Sequence, residues 1–367
     1  MALVKPDLGR FAKIKVLGVG GGGGNCINTM IEEDSIVGVD FIAVNTDSQA
    51  LLANKAKEKL QIGENLTRGL GVGGNPELGR QAAEESREKI KEHLINTDMV
   101  FLTAGMGGGT GTGASSVIAE VSKEVGALTI AVVTKPFLFE GTKRMVAAEE
   151  GIESLKDKVD ALIVIPNQRL METIDPNMTL VEAFKAVDSV LGQGVQGISD
   201  IITVPGLINR DFADVRSIMK DAGSAFMGIG IGVGEGRAQM AAKEAIASPL
   251  LEISLEGAQG ILFTITGGKD LTITEVEEIA KIITLQADAN ANIIFGANIS
   301  ETMVDQIKLT IIATGFDESK IRLHKMVKMG LEEPLKEPVI EENEEDSSDE
   351  MGEEYEVPSF LRLGKQQ

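Results

Sequence analysis

The chain has 367 residues, and its 56 acidic residues outnumber its 35 basic residues to give a formal net charge of −21. A chain so acidic is a poor candidate for nucleic-acid binding, because phosphate contacts need clustered Lys and Arg. One cysteine and two histidines exclude an internal disulfide and leave no His-rich metal site. The segment from Met1 to Arg10 lacks a signal-peptide core, and no apolar run approaches the ~18 residues that span a bilayer, so we expect a soluble, cytoplasmic protein.

The first predicted strand leads into the glycine run 20–24, and we expect a helix from near Asn25. Gly18, Gly20 and Gly23 satisfy G-x-G-x-x-G, a pattern typical of dinucleotide-binding folds. Five consecutive glycines satisfy many patterns by chance, so this signal is weak. It nevertheless leaves open a dinucleotide-binding oxidoreductase with a Rossmann-like N-terminal domain as the alternative function.

In the first half of the chain, apolar runs that predict strands alternate with segments whose apolar residues recur at helical spacing. The predicted strands are 39–44, 98–103, 127–133 and 160–165, and the predicted helices are 77–94 and 113–125. This alternation predicts an α/β fold with a doubly wound parallel sheet. The loops that follow the strands meet at the carboxyl edge of such a sheet, where ligands bind. The loops 20–25, 71–75 and 105–113 are rich in glycine, which favours a polyphosphate ligand.

The segment 105–113, Gly-Met-Gly-Gly-Gly-Thr-Gly-Thr-Gly, lies between a buried strand and a helix. Six glycines in nine residues remove side chains from the turn, so that backbone N–H groups can close on an anion at the helix N-terminus. A flexible turn is the simpler alternative. The segment is not a Walker A loop, because G-x-x-x-x-G-K-[ST] occurs nowhere in the sequence.

The run Gly107–Gly113 resembles the signature of the tubulin/FtsZ superfamily of GTPases, and the similarity to the cell-division branch extends over nearly the whole chain. The resemblance implies an assembly-activated GTPase that binds GTP and GDP, polymerises head to tail and forms the bacterial division ring at midcell. It also implies a long central helix and a smaller C-terminal α/β domain with a mixed sheet. Because the chain is acidic, we expect the polyphosphate to bind together with Mg²⁺.

Several residues have a plain structural reading beside the functional one. Asp47 fits an N-cap, Glu140 and Arg144 fit a surface ion pair, and Phe184 fits a core position. The resemblance implies that they contact the nucleotide, together with the rest of this set: Gly21, Gly22, Asn25, Asn45, Asp47, Gly73, Gly74, Gly105, Met106, Gly107, Gly108, Gly109, Thr110, Gly111, Thr134, Glu140, Arg144, Asn167, Phe184 and Asp188. The Asp188 carboxylate, one turn from Phe184, would accept the two N–H donors of guanine, whereas adenine presents the wrong pattern. Cys26 lies beside Asn25, so we expect thiol-reactive reagents to impair GTP binding.

Apolar positions recur at helical spacing from 179 to about 203, although Gly192, Gly194 and Gly197 each cost on the order of 1 kcal/mol relative to alanine. We expect one continuous helix. The segment after it contains Asn209, Asp211 and Asp214. Asp211 and Asp214 fit a helix cap and a first-turn carboxylate, but the resemblance implies that all three residues are catalytic and act on the nucleotide of the next subunit.

The second half alternates again, with predicted helices 236–247 and 274–287 and strand-like runs at 226–233, 260–266, 292–296, 306–314 and 320–325. The segment 331–354 has twelve acidic residues and one lysine, which predicts disorder. The final segment contains the apolar cluster Val357, Pro358, Phe360 and Leu361 with Arg362, which resembles the family's peptide for membrane anchors and regulatory division proteins. The predicted parts are 1–12 (extension), 13–178 (GTP-binding domain), 179–204 (central helix), 205–221 (catalytic loop and helix), 222–330 (assembly domain), 331–354 (linker) and 355–367 (docking peptide).

Overall fold

The N-terminal half of the protein forms a parallel sheet with helices on both faces. In this computed structural model, residues 12–33, 36–171, 178–204, 211–251, 255, 257–301 and 303–316 are described. The strands are β1 (Ile14–Val19), β2 (Val39–Asn45), β3 (Glu58–Gln61), β4 (Met99–Gly105), β5 (Leu128–Lys135) and β6 (Ala161–Pro166). The helices are α1 (Gly20–Glu33), α2 (Ser48–Ala53), α3 (Glu64–Thr67), α4 (Pro76–Glu85), α5 (Arg87–Leu94), α6 (Thr110–Glu124), α7 (Thr142–Lys156) and α8 (Asn167–Leu170), and a 3₁₀ turn spans Leu138–Glu140. The strand order β3-β2-β1-β4-β5-β6 is parallel throughout, which confirms the predicted fold class.

The C-terminal half is built on a mixed sheet. After the long helix α9 (Leu180–Thr203) come α10 (Phe212–Met219), β7 (Gly223–Val233), α11 (Arg237–Ile246), β8 (Gly260–Gly267), α12 (Ile273–Gln286), β9 (Asn292–Ile299) and β10 (Gln306–Thr314). β10 runs antiparallel to β7 and β8, while β9 is parallel to β8. The first three residues of β7 pair with β6, so the two sheets are continuous. The predicted strand 320–325, the linker 331–354 and the docking peptide 355–367 lie outside the described residues.

Helix α9 is continuous, as predicted, and packing explains its glycines. A Cβ atom at Gly197 would lie 2.8 Å from Cγ2 of Thr310 on β10, and one at Gly194 would lie 3.2 Å from Sδ of Met227 on β7. The Thr264 hydroxyl of β8 donates to the Gly197 carbonyl at 2.9 Å. The close approach of the helix to the second sheet therefore offsets the helix-propensity cost of these glycines.

Three predicted boundaries were wrong. Helix α1 begins at Gly20 instead of near Asn25, because glycine lets the helix approach the sheet: a Cβ at Gly23 would lie 2.3 Å from the Thr103 carbonyl oxygen. The predicted helix 77–94 is two helices that meet at Ser86, whose N–H donates to the carbonyls of Ala83 and Glu84. Helix α6 begins at Thr110 instead of at 113, so the signature segment supplies its first turn.

The core around the parallel sheet is divided between the two faces of that sheet. One cluster of buried side chains fills the space between the sheet and the helices α1, α9 and α10, and a second lies under α4 to α7. Strands β4 and β5 are buried on both faces, which is why they are uninterrupted apolar runs. None of the described helices is both long enough and apolar enough to cross a membrane.

Candidate nucleotide-binding site

A cavity of about 480 Å³ opens at the carboxyl edge of the parallel sheet, beside the first turns of α1 and α6 and the stretch of α9 from Phe184 to Leu191. All of the predicted nucleotide contacts line it except Gly107. The lining residues that sequence reasoning missed are Thr46, Ala50, Gly71, Val72, Pro136, Val187 and Leu191. Of these, Gly71 and Val72 lie inside the glycine-rich loop 71–75, and Thr46 lies between the predicted contacts Asn45 and Asp47. Val187 and Leu191 follow from Phe184 and Asp188 by helical spacing.

At two lining positions glycine is explained neither by packing within the protein nor by a positive φ. A Cβ atom at Gly21 or Gly108 would meet no protein atom within 4 Å, so it would project into the open cavity. Gly107 differs, because its φ is +95° and a Cβ there would lie 2.6 Å from the Arg144 carbonyl oxygen. Gly107 therefore forms the turn, and the cavity has room for a ligand against the backbone at Gly21 and Gly108.

The first turn of α6 faces the cavity without a side-chain cap. Its N-cap residue is Gly109, so its first N–H groups receive no hydrogen bond from a capping side chain. The Thr112 hydroxyl accepts the Gly107 N–H at 2.9 Å, which braces the loop from behind. The Thr110 hydroxyl lies 2.8 Å from the Thr46 hydroxyl, which ties this helix to the β2 loop. Uncapped N–H groups at a helix N-terminus favour an anion.

Asp47 is the N-cap of α2 and also lies at the cavity. Its carboxylate caps α2 by accepting the N–H groups of Gln49 at 2.9 Å and Ala50 at 3.2 Å, and it also lines the cavity. Asn45 accepts the Thr46 N–H at 2.8 Å through Oδ1, which fixes the loop between them.

Glu140 and Arg144 form the ion pair that the plain reading predicts, with Oε2 and Nη1 2.5 Å apart. They do not share a helix, however, because Glu140 ends the 3₁₀ turn, Arg144 lies in α7, and Gly141 with a φ of +95° separates the two. Glu140 also accepts the Phe137 N–H at 2.9 Å, which locks the carboxylate at the rim of the cavity.

At the other end of the cavity a ring, a carboxyl group and an amide converge. Phe184 packs edge-on against Phe137, with ring centroids 5.3 Å apart, yet its side chain is 39% exposed. Asn167 is buried, and its Oδ1 finds no hydrogen-bond partner among the described residues. Burial raises the pKa of Asp188 to about 7 by desolvation. A planar base with N–H donors would suit the ring and the carboxyl group, and Asn167 Oδ1 can accept a further hydrogen bond from a ligand.

Cys26 lies beneath this end of the cavity and does not line it. Its thiol is fully buried, donates to the Asp188 carbonyl at 3.7 Å and accepts from the Thr103 hydroxyl at 3.6 Å. Burial raises the pKa of this thiol, so both access and reactivity are low. The expected effect of thiol-reactive reagents on the folded protein therefore has no support in the structure.

The predicted catalytic carboxylates lie away from the cavity. Asp211 caps α10 by accepting the Asp214 N–H at 2.9 Å, and neither residue lines the cavity. α10 leads to Gly223, which pairs with Ala161 at the start of β6. This is the amino edge of the parallel sheet, opposite the cavity. Asn209 lies outside the described residues.

Comparison with known proteins identifies this arrangement. Residues 13–175 match the model of the Tubulin/FtsZ family GTPase domain, and residues 223–317 match the model of the FtsZ family C-terminal domain. An FtsZ dimer from M. jannaschii is 48% identical in sequence, with a TM-score of 0.80 over 83% of this chain and 89% of that one. The chain belongs to the Tubulin/FtsZ family. It is a GTPase that binds GTP and GDP.

Two more distant structures share the fold. CetZ2 from Haloferax volcanii is 19% identical, with a TM-score of 0.73 over 87% of this chain and 98% of that one. CetZ1 from the same organism is 20% identical, with a TM-score of 0.72 over 87% and 99%. These two likenesses show a shared fold. The dinucleotide-dependent oxidoreductase suggested by Gly18, Gly20 and Gly23 gains no support from the comparisons.

Proposed function

We propose that this GTPase polymerises head to tail in the bacterial division ring, and that Asp211 and Asp214 of one subunit complete the GTPase site of the next. One observation carries the proposal: neither carboxylate lines the cavity, and the described chain on either side of them lies at the opposite edge of the parallel sheet. A self-contained enzyme would need both at one edge.

The described chain on both sides of the two carboxylates lies at the edge opposite the cavity of the same chain. Thr203, the last residue of α9, lies at the amino edge, since a Cβ at Gly38 just before β2 would be 3.1 Å from its Cβ. The chain therefore lies at the amino edge both before Asp211, at Thr203, and after it, at Gly223. β5 alone spans eight residues, or roughly 25 Å at ~3.3 Å per residue.

Within the cavity, the phosphates belong at the uncapped first turn of α6, with Gly21 and Gly108 giving the backbone room to approach. The base belongs against Phe184 and Asp188, and the sugar beside Asn167 and Glu140. In this orientation Arg144 faces the phosphate side. The carboxylates of the next subunit then orient the attacking water, a group that phosphoryl transfer requires and the cavity loops lack.

The donor set is compatible with Mg²⁺ if the phosphates supply most of its ligands. Among the described residues, no group of three or more His, Cys, Asp or Glu side chains converges to hold a metal ion. Mg²⁺ commonly keeps several waters and binds through substrate phosphates with one or two protein oxygens. The ion would neutralise the phosphates in an acidic protein.

Polymerisation is supported by the relatives. The M. jannaschii FtsZ structure is a dimer, and CetZ2 was solved as a GTPγS-bound protofilament. A head-to-tail contact uses two different surfaces and therefore propagates into a filament. We further propose that the segment 355–367, with Val357, Pro358, Phe360, Leu361 and Arg362, docks the filament to membrane-anchor and regulatory division proteins at midcell.

Mixing two defective variants tests the shared site. Asp214→Ala retains the cavity and lacks the carboxylate, whereas Asp188→Ala weakens the cavity and retains the carboxylate. We expect each variant alone to hydrolyse GTP slowly and an equal mixture to regain about a quarter of the wild-type rate, because one interface in four pairs two intact halves. Light scattering checks that the mixture assembles. A mixture that assembles and stays as inactive as its components contradicts the proposal.

A further inference from the structure

A second cavity, of about 280 Å³, opens on the face of the parallel sheet that carries α1, between the end of α1 and the strands β2 and β3. We call it the α1–β2 groove. Its apolar lining residues are Met30, Ile31, Ile36, Val39 and Phe41. Of these, Ile31, Val39 and Phe41 are only partly buried. The volume lies below the roughly 300–1,000 Å³ of typical small-molecule sites, so the groove suits a few side chains better than a ligand.

The outer edge of β2 is open beside this groove. β2 spans Val39–Asn45, but β3 pairs only with residues 42–45. Residues 39–41 therefore have β1 on one side and no described strand on the other. Within the described part of the chain, no backbone hydrogen bond outside the sheet ladders reaches them. An open backbone edge next to partly buried apolar side chains favours an added peptide segment.

The chain enters β1 at the same corner of the sheet. Ile14 lies opposite Val39 in the parallel pairing, so Ala12 lies beside the chain that enters β2. Ala12, Val39 and Phe41 pack against the same buried cluster, which contains Met30 of the groove. Ala12 therefore brings the N-terminal segment 1–11 to the face and the end of the sheet where the groove opens.

The segment 1–11 has the length and the composition to fill the groove. Neighbouring strands are about 4.8 Å apart, so the far rim at β3 lies roughly 10 Å from β1. About four extended residues cover that distance at ~3.4 Å each. The apolar residues of the segment are Leu3, Val4, Leu8 and Phe11. Leu8 and Phe11 lie within this reach of Ala12.

We propose that the segment 1–11 folds back on its own chain and seats Leu8 and Phe11 in the α1–β2 groove, alongside the open edge at residues 39–41. The seated segment braces the start of β2, where Gly38 lies against Thr203, the last residue of α9. The inference is independent of the shared GTPase site.

A disulfide trap tests this placement in the full-length protein. Cys26 is the single native cysteine and is fully buried, so introduced cysteines react selectively. In Asp7→Cys/Lys57→Cys, one cysteine lies beside Leu8 in the sequence and the other replaces an exposed lysine that lines the groove. With oxidised glutathione we expect a bridge within one chain, seen as a monomer of altered mobility on a non-reducing gel.

The matched control moves the second cysteine to the opposite face of the sheet. Asp7→Cys/Lys143→Cys places it at an exposed position of α7, and this protein should stay unbridged. If Asp7→Cys/Lys57→Cys forms a dimer instead, the segment binds a second copy and the inference is overturned. A protein that forms no bridge overturns it as well.

Tethering alone brings the two cysteines together at times, so a second comparison isolates the seating. Leu8→Ser with Phe11→Ser, added to Asp7→Cys/Lys57→Cys, keeps the tether length and removes the apolar anchors. We expect the bridge to form about tenfold more slowly or less, because the burial of two large apolar side chains is lost. Arg10→Ser, at a polar position between the anchors, should leave the rate unchanged. Equal rates in the two proteins overturn the inference.

Hydrogen exchange gives a readout that needs no introduced cysteine. The backbone amides of residues 39–41 should exchange more slowly in the wild-type protein than in Leu8→Ser/Phe11→Ser, whereas those of the central strand β5 should exchange alike. Equal exchange at residues 39–41 in these two proteins contradicts the inference even if the cysteine variants do not fold.

Discussion

The two edges of the parallel sheet differ in what they offer a nucleotide. The carboxyl edge has uncapped backbone N–H groups, glycines that leave open space and an exposed ring, but among the described side chains there it has no free carboxylate at the α6 turn. Towards the amino edge, among the described residues, the first turn of α10 carries Asp211 and Asp214, and the Asp211 side chain caps it. Each edge holds what the other lacks, which is the arrangement expected of a site shared between copies.

The largest expected effect comes from removing a carboxylate at the amino edge. Asp214→Ala and Asp211→Ala should each lower GTP turnover by about 10²- to 10⁴-fold, because water activation is lost while the cavity is untouched. GTP affinity, measured by equilibrium binding, should stay near the wild-type value. Asp157→Ala, at an exposed aspartate just before β6 on the same edge, is the matched control and should retain turnover. Normal GTP hydrolysis by either Asp214→Ala or Asp211→Ala would contradict the proposal that the site is shared.

A methyl group at Gly108 should weaken nucleotide binding at the carboxyl edge without destabilising the fold. Gly108→Ala meets no protein atom within 4 Å, so the nucleotide-free protein should unfold at nearly the wild-type temperature. GTP affinity should fall about tenfold or more, because the methyl group occupies space meant for phosphate. By contrast, Gly113→Ala places a Cβ 1.9 Å from the Pro76 carbonyl oxygen and should impair folding itself. Unchanged GTP affinity in Gly108→Ala would show that the phosphates do not bind at this turn.

The ion-pair cluster around Arg237 in the C-terminal half lies outside both edges of the parallel sheet. The buried Arg237 guanidinium bonds to Glu275 at 2.6 Å and also pairs with Asp270. We expect Arg237→Ala to lower the free energy of unfolding by roughly 1–3 kcal/mol, because it removes charge-assisted hydrogen bonds to carboxylates that remain partly exposed to solvent. GTP affinity per folded molecule should not change. A loss of affinity equal to the loss in Asp188→Ala would mean that the regions are not independent.

The same pair predicts a smaller effect of pH on stability. Arg237 lowers the pKa of Glu275 to about 2 from its ordinary value of 4.5. Since the folded-state pKa is depressed, the stabilisation is present above pH 4.5 and is lost as the pH falls through 4.5 towards 2. Chemical unfolding at pH 6 and pH 3.5 measures this loss. Glu275→Gln should reduce the difference between the two values.

Much of the N-terminal fold could be predicted because its signals are local and strong. β4 and β5 are long apolar runs, each followed by a polar or glycine-rich turn. β3 was missed because its sequence, Glu-Lys-Leu-Gln, carries one buried apolar residue and lies at the edge of the sheet. The start of α1 was misplaced because a glycine run has low helix propensity, and the contact between Gly23 and β4 overrides it.

The cavity was easier to predict than the relation between the two edges. Most contacts followed from the rule that loops after parallel strands meet at one edge. Spacing alone could not place Gly107 behind the cavity, since its role depends on a positive φ and on Arg144 in another helix. Nor could it place Asp211, because that position depends on the length of α9 and on the pairing of β7 with β6.

The most direct test of the shared site is the rate of GTP hydrolysis per molecule as a function of protein concentration. The account predicts negligible hydrolysis in dilute protein, followed by a steep rise through a threshold that coincides with the onset of light scattering. A rate per molecule that is the same in dilute and concentrated protein would contradict it.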